Sequence, residues 1–235
     1  MGEPRAGYLP HMPKAAPGTI LVYSDIACPW SHLALHRLWT TRSRLGLDGV
    51  VGFDHRAFPL EMFNERATPK RVLDAEVAVV GGLDVDAGWH TWDRPVHEYP
   101  GSSLLALEAV QAAKRQSVAA SEQLDRALRR AFFADRRNIT LRHEILAAAS
   151  SCDAVDLNAL TDDLDSGVAR RSVIDQKAEA EGVDVKGSPH LFLADGSGAH
   201  NPGIEVRWAE GGYPVVDKDD PSIYEDLLER AAQLT

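Results

Sequence analysis

Residues 19–38 read TILVYSDIACPWSHLALHRL, and this stretch decides the fold. TILVY (19–23) is short, β-branched and bounded by Gly18, which reads as a strand buried on both faces. Cys28-Pro29-Trp30-Ser31 follows and opens a helix that runs to about Leu45. Leu35, Leu38 and Trp39 lie on one side of it, and Gly46 stops it. Val50 to Phe58 is a second strand, ended by Pro59. The chain therefore starts β-α-β.

Further along, the character changes. From about Thr68 to Glu181 the sequence is rich in Ala, Leu, Arg and Glu. Helices are expected from Asp74 to Val80, from Ser103 to about Ser117, from Ser121 to Arg136, from Thr140 to Ala149 and from Asp165 to Gly182. Strand signal returns at Leu191-Phe192-Leu193, with a turn at Asp195-Gly196. Gly203 to Trp208 alternates as a half-buried strand does, and Ser222 to Ala232 forms a last helix. The pattern is an α/β unit split by a helical insertion. The expected organisation is a flexible tail (1–18), an α/β domain (19–65 and 183–235) and an all-helical insertion (66–182).

Composition bounds the function. The 235 residues are 44% hydrophobic and 26% charged, which is ordinary for a globular chain. Two cysteines exclude a disulfide scaffold. With 35 acidic and 25 basic residues the net charge is −10, which argues against nucleic acid as a partner. No apolar run reaches the roughly 18 residues of a membrane span. The proline-rich start does not read as a secretory signal, so a reducing cytoplasm is the expected compartment, and cysteine chemistry there points to catalysis.

That chemistry falls on Cys28. Pro29 suits the first helical position, which makes Cys28 the N-cap. Its sulfur then faces the free amides of Trp30 and Ser31 and the positive end of the helix dipole. Both favour a thiolate, so the pKa is expected below the free value of about 8.5. Ser31 stands where a dithiol motif has its second cysteine. Its hydroxyl can donate to a thiolate but cannot resolve a mixed disulfide. Gly187-Ser188-Pro189-His190 is the second candidate segment, where Pro189 leads into a strand.

Together these segments resemble the DsbA-type branch of the thioredoxin superfamily, nearest the FrnE-like proteins, the 2-hydroxychromene-2-carboxylate isomerases and the kappa-class glutathione transferases. The resemblance rests on ILVYSDIACPWSHLALHRL (20–38), FDHRAFPL (53–60), LRRAFFADRRNITLRHEILAAA (128–149) and EGVDVKGSPHLFLADG (181–196). It implies a thioredoxin-like α/β fold with an inserted helical domain. Cys28 matches the nucleophile and Ser31 the second cysteine position. Pro189 matches a cis-proline packed against the nucleophile. The backbone of Ser188, with Pro29 and Trp30, lines the substrate groove.

The leading reading is a thiol-disulfide oxidoreductase acting through a Cys28 mixed disulfide. No tightly bound cofactor is expected; a low-molecular-weight thiol serves as co-substrate, or a disulfide-containing protein as substrate. The alternatives are a small-thiol-dependent isomerase or transferase, and a non-catalytic peptide-binding module. Oligomeric state stays open, a homodimer included.

Other signals weigh less. His32 and His36 have a metal-compatible spacing, but no third ligand is placed, so no metal site is expected. His190 is expected to point away from Cys28, because side chains alternate along a strand. Cys152 reads as a plain cysteine at a helix end, or as a remote resolving thiol. Trp89 and Trp92 form either an aromatic wall over the cleft or packing between insertion and core.

Overall fold

The computed structural model describes residues 13–183 and 185–234. Of the expected flexible tail, residues 1–12 lie outside the described residues. The rest of it is docked. Ala15 is buried against Leu21, Tyr23 and Phe192, and its N–H donates to the Leu193 carbonyl at 3.4 Å.

The chain begins β1 (Thr19–Ser24), α1 (Pro29–Arg44), β2 (Gly52–Ala57). A short α2 (Leu60–Phe63) follows. The helical block holds α3 (Lys70–Val80), α4 (Leu104–Gln116), α5 (Val118–Phe133), α6 (Arg142–Ala149), α7 (Leu157–Ser166) and α8 (Arg170–Gly182). Then come β3 (His190–Phe192), β4 (Gly198–His200), β5 (Ile204–Trp208), β6 (Pro214–Asp219) and α9 (Ile223–Gln233). The four-stranded sheet has the order β2-β1-β3-β4, with β1 parallel to β2 and antiparallel to β3. This is the thioredoxin-like α/β fold with helical content that the sequence led us to expect.

β1 is covered on both faces, which explains its unbroken apolar run. Ile20 and Val22 pack with Leu35 and Leu38 of α1 and with Tyr224 and Leu228 of α9. Leu21 and Tyr23 point the other way, into a cluster with Phe58, Phe192 and Ala180 of α8.

β2 is a sheet edge, and side chains from the helical block occupy it. The Phe53 N–H donates to Glu122 Oε1 at 2.6 Å and the Ala57 N–H to Gln176 Oε1 at 2.7 Å. The His55 carbonyl accepts from Gln111 Nε2 at 3.2 Å and from Lys114 Nζ at 3.1 Å. These bonds replace those of a missing strand and block pairing with another chain. They also tie α4, α5 and α8 to the sheet.

Several elements depart from the sequence reading. The helix expected from Asp165 to Gly182 begins only at Arg170, as α8; Asp165 and Ser166 close a separate α7 that the sequence pattern does not announce, and Gly167 between the two takes the left-handed φ of 66°. β4 and β6 have no counterpart in the sequence pattern. Gly203 to Trp208 does form a strand, but outside the main sheet: β5 pairs with β6 as a separate ribbon. The chain turns away after β4 through Asn201 (φ 43°) and Gly203 (φ 76°). A Cβ at Gly203 would run into the Asp220 carbonyl oxygen, so this bend needs glycine. Arg37 of α1 clamps the ribbon by two bonds to Asp219, at 2.6 and 2.9 Å.

Candidate active site

Strand β1 runs out at Ser24, and the next four residues carry the chain to α1. Cys28 is the N-cap, extended at φ −85° and ψ 117°, with Pro29 next in the helix. The proline lacks the N–H that would be orphaned there, so the local sequence fits the local geometry. The Cys28 amide donates to the Asp25 carbonyl at 3.3 Å, and the Cys28 carbonyl accepts from His32 N–H at 3.0 Å.

The sheet brings the second segment to the same place. Pairing of Tyr23 with His190 sets Ser188-Pro189 beside the start of α1. The Ser188-Pro189 bond is cis. The Cys28 thiol donates to the Ser188 carbonyl oxygen at 3.2 Å. Ser31 Oγ lies 2.6 Å from Ser188 Oγ, which accepts the Asp25 N–H at 2.8 Å. Ser188 therefore holds all three residues, and its carbonyl, expected to be free for substrate, is taken by the resting thiol. Trp30 is buried, and its indole N–H donates to Glu76 Oε1 of α3 at 2.9 Å.

The sulfur is enclosed. Cys28 is 4% exposed and clusters with Trp30, Leu33 and Val80. Ile204, Val206 and Val216 of the β5–β6 ribbon and Trp89 pack onto that cluster from outside.

A match to a family model settles the kinship. Residues 19–206 match the DSBA-like thioredoxin domain.

The chain belongs to the DSBA-like thioredoxin domain family.

Solved structures agree on the fold of this DSBA-like chain. One is a "probable DsbA oxidoreductase" from Streptomyces coelicolor, 19% identical, covering 92% of this chain and 91% of that one at TM-score 0.66. A second is the cytosolic disulfide reductase DsbM from Pseudomonas aeruginosa, 13% identical, covering 92% and 100% at TM-score 0.63. A third is a 2-hydroxychromene-2-carboxylate isomerase, 19% identical, covering 77% and 87% at TM-score 0.53. No curated protein sequence matches the chain. Family and fold are those of DSBA-like thioredoxin domains.

Electrostatics in this DSBA-like site overturn one expectation. Burial, and then the charge of Glu76, push the Cys28 thiol up to about 11, not down. Bonds from Ser188 and from the amide and hydroxyl of Ser31 oppose this but do not win. The helix terminus is legible in the local sequence, whereas the cover of ribbon and α3 is not. With a pKa near 11, roughly one thiol in ten thousand is ionised at pH 7. Alkylation of Cys28 should therefore climb with pH and show no plateau below about pH 10. In Glu76→Gln, which keeps an acceptor for Trp30, the midpoint should move to lower pH. Thiolate ultraviolet absorbance followed during a pH titration reads both, and an unchanged midpoint would remove Glu76 from the account.

Beneath the site lies a buried polar network that no motif announces. Asp25 accepts from the Ala27 and Leu60 amides at 2.8 Å each and from Ser103 Oγ at 2.9 Å. Burial pushes its pKa up against those three donors. Arg129 of α5 donates to the Asp25 carbonyl at 2.9 Å and to Ser24 Oγ at 2.8 Å, and grips Asp125 at 2.7 and 3.1 Å. The helical block thus fixes the backbone that leads into Cys28.

The remaining candidates find other places. His32 Nε2 lies 3.0 Å from the Ala87 carbonyl oxygen, and its ring stacks on Phe133 with centroids 4.6 Å apart. Burial pushes its pKa down to about 3, so it is neutral. His36 faces Asp84 at 3.7 Å. Among the described residues no group of three or more His, Cys, Asp or Glu could hold a metal, and no helix is long and apolar enough to cross a membrane. His190 Nδ1 accepts from the Lys186 amide at 3.1 Å, and its ring lies against Phe192 and His200. Cys152 is buried and in no disulfide, and burial raises its pKa. Trp92 packs on Tyr99 and Phe132 within the insertion. Trp89 meets both His32 and Phe133, and so joins insertion to core.

Proposed function

We propose that the chain is a thiol-disulfide oxidoreductase whose only reacting thiol is that of Cys28. The observation that carries this reading is the Cys28–Ser188 bond at the N-terminus of α1, inside a DSBA-like domain. At rest burial and the nearby Glu76 keep the thiol protonated, and its S–H donates to the Ser188 carbonyl. A bound disulfide displaces the cover, and the thiol loses its proton to solvent. The thiolate, with the Ser31 hydroxyl and amide beside it, attacks one sulfur of the disulfide. A Cys28–S–S–R bond forms, the original S–S bond breaks, and the other half leaves as a thiolate. Ser31 cannot complete a second exchange. An external small thiol attacks the mixed disulfide, frees Cys28 and leaves with R as a new disulfide. Trp30 and Pro29 form the wall behind the sulfur, and the Ser188 carbonyl vacated by the thiol becomes available to substrate.

The disulfide reductase DsbM is described as cytosolic. We extend a reducing, cytoplasmic setting to this chain, where small thiols are abundant enough to act as co-substrate. A second reading, isomerisation with a small thiol held at Cys28 or Ser31, draws support from the shared fold of the isomerase neighbour.

Turnover separates them. With a small aromatic disulfide and excess glutathione, reduction should fall to the uncatalysed rate in Cys28→Ser and stay near the parent rate in Cys152→Ser. Full activity in Cys28→Ser would refute the exchange mechanism.

A further inference from the structure

A polar cavity lies between α1 and α5, away from the Ser188 contact. Its volume is about 100 Å³, and it is walled by Trp39, His36, Arg126, Arg130 and the turn that carries Asp86. Its floor is the Asp125–Arg129 pair, whose charges cancel one another at 2.7 Å. The charges on the walls do not cancel. Among the described residues, neither Arg126 nor Arg130 has a carboxylate within ion-pair reach, and Asp86 has no cation within it. The cavity keeps these opposite charges apart.

Arg126, Arg130 and Asp86 are exposed at the mouth of the cavity, and the two arginines repel one another weakly. Arg126 and Arg130 stand one turn apart on α5, an i, i+4 pair of like charge that destabilises a helix. Burial, then Arg42 and Arg130, hold the Arg126 pKa below its ordinary value. The Arg126 guanidinium sits 4.5 Å over the Trp39 ring, an attraction that fixes the group at the rim. A planar guanidinium fixed in this way presents donors suited to a carboxylate. His36 is pushed toward neutrality, chiefly by burial, so it adds little charge of its own.

We propose that this cavity binds the headgroup of an α-amino acid, its carboxylate on Arg126 and Arg130 and its ammonium on Asp86. A bare anion would face Asp86 unpaired, and a bare amine would face the two arginines. A zwitterion meets both walls and removes the like-charge penalty. Cys28, Ser31 and Ser188 do not line it.

Calorimetric titration with L-glutamate tests it, alongside glutarate, which lacks the ammonium, and 4-aminobutyrate, which lacks the α-carboxylate. Glutamate should bind saturably at millimolar concentrations, and both analogues more weakly. Arg126→Gln and Arg130→Gln should each weaken glutamate about tenfold, the size of one lost charge-assisted hydrogen bond. Without ligand, Arg130→Gln should melt no lower than the parent, since it relieves repulsion. Asp86→Asn should weaken glutamate but bind glutarate at least as well as the parent does, a crossover that damage to the fold would not produce. Reduced glutathione carries the same headgroup on a larger body, and the tighter of it and glutamate identifies the source. Equal affinity for glutamate and glutarate, no saturable glutamate binding, or arginine variants that bind like the parent would overturn the proposal.

Discussion

Replacing Arg129 with Met should cost about 3–5 kcal/mol of stability at neutral pH, the usual price of leaving a buried charge without its partner. Arg129 is 1% exposed and makes bonds to Asp125, to the Asp25 carbonyl and to Ser24 Oγ. Methionine fills most of the volume but answers none of those groups. Asp125 is then left buried beside His55, 3.6 Å away. The pH dependence gives the prediction its sign. In the parent, burial pushes the Asp125 pKa up, but the Arg129 charge outweighs it and holds the pKa low. That pair contributes stability above the unfolded pKa, near 4, and loses it as pH falls through the folded pKa. In the variant only the neighbouring His55 and His32 oppose burial, the folded pKa rises, and stability is lost instead as pH rises. The difference between the two proteins should therefore shrink toward pH 4. Adding Asp125→Leu should recover part of the loss, because an apolar replacement of both partners is far less costly than breaking the pair. Urea unfolding at several pH values reads all of this. A cost under about 1 kcal/mol would mean that water reaches the network, and that α5 does not fix the approach to Cys28.

How much of this could be read from the sequence follows from what each feature depends on. β1, α1 and the Cys28 N-cap are local: a β-branched run, a Pro at the first helical position and apolar spacing specify them. Ser188-Pro189 is legible only through resemblance, and the register of β3 on β1 shows why it meets Cys28. Elements with weak local signal were lost. β4 is Gly-Ala-His, and β6 starts at Pro and ends in charges. α7 carries Thr161, Asp162, Asp163 and Asp165, residues that favour caps and turns over helix interiors. Features made by distant chain segments were also lost. The Cys28 environment depends on Glu76 and on the ribbon, 46 residues past Trp30 in one case and beyond β4 in the other. The Arg129 network spans more than 100 residues of sequence. A helix terminus can be read from four residues, but the burial that outweighs it cannot.

The second large effect should come from Ser31→Cys. Ser31 is fully buried one helical turn from Cys28, and its Oγ already lies beside Ser188. A thiol there would attack the Cys28 mixed disulfide from within the molecule. Well-placed intramolecular groups reach effective concentrations on the order of 10⁵ M and above, far beyond any free thiol. Release of the mixed disulfide should accelerate by at least about a thousandfold, leaving an internal disulfide between Cys28 and the introduced thiol in place of the adduct. Rapid-quench mass measurement follows adduct and disulfide together. The gain should appear in the release step and not in the first attack, which still depends on uncovering Cys28. If the pair forms a disulfide while release stays slow, the adduct is not the intermediate of the reaction.

The central claim is that Cys28 carries the exchange through a mixed disulfide, and intact mass after incubation with oxidised glutathione tests it most directly. The account predicts one glutathione added, located at Cys28, lost on treatment with excess small thiol, and absent from Cys28→Ser. A chain that stays unmodified, or one that takes the adduct at Cys152 while Cys28 remains free, would contradict it.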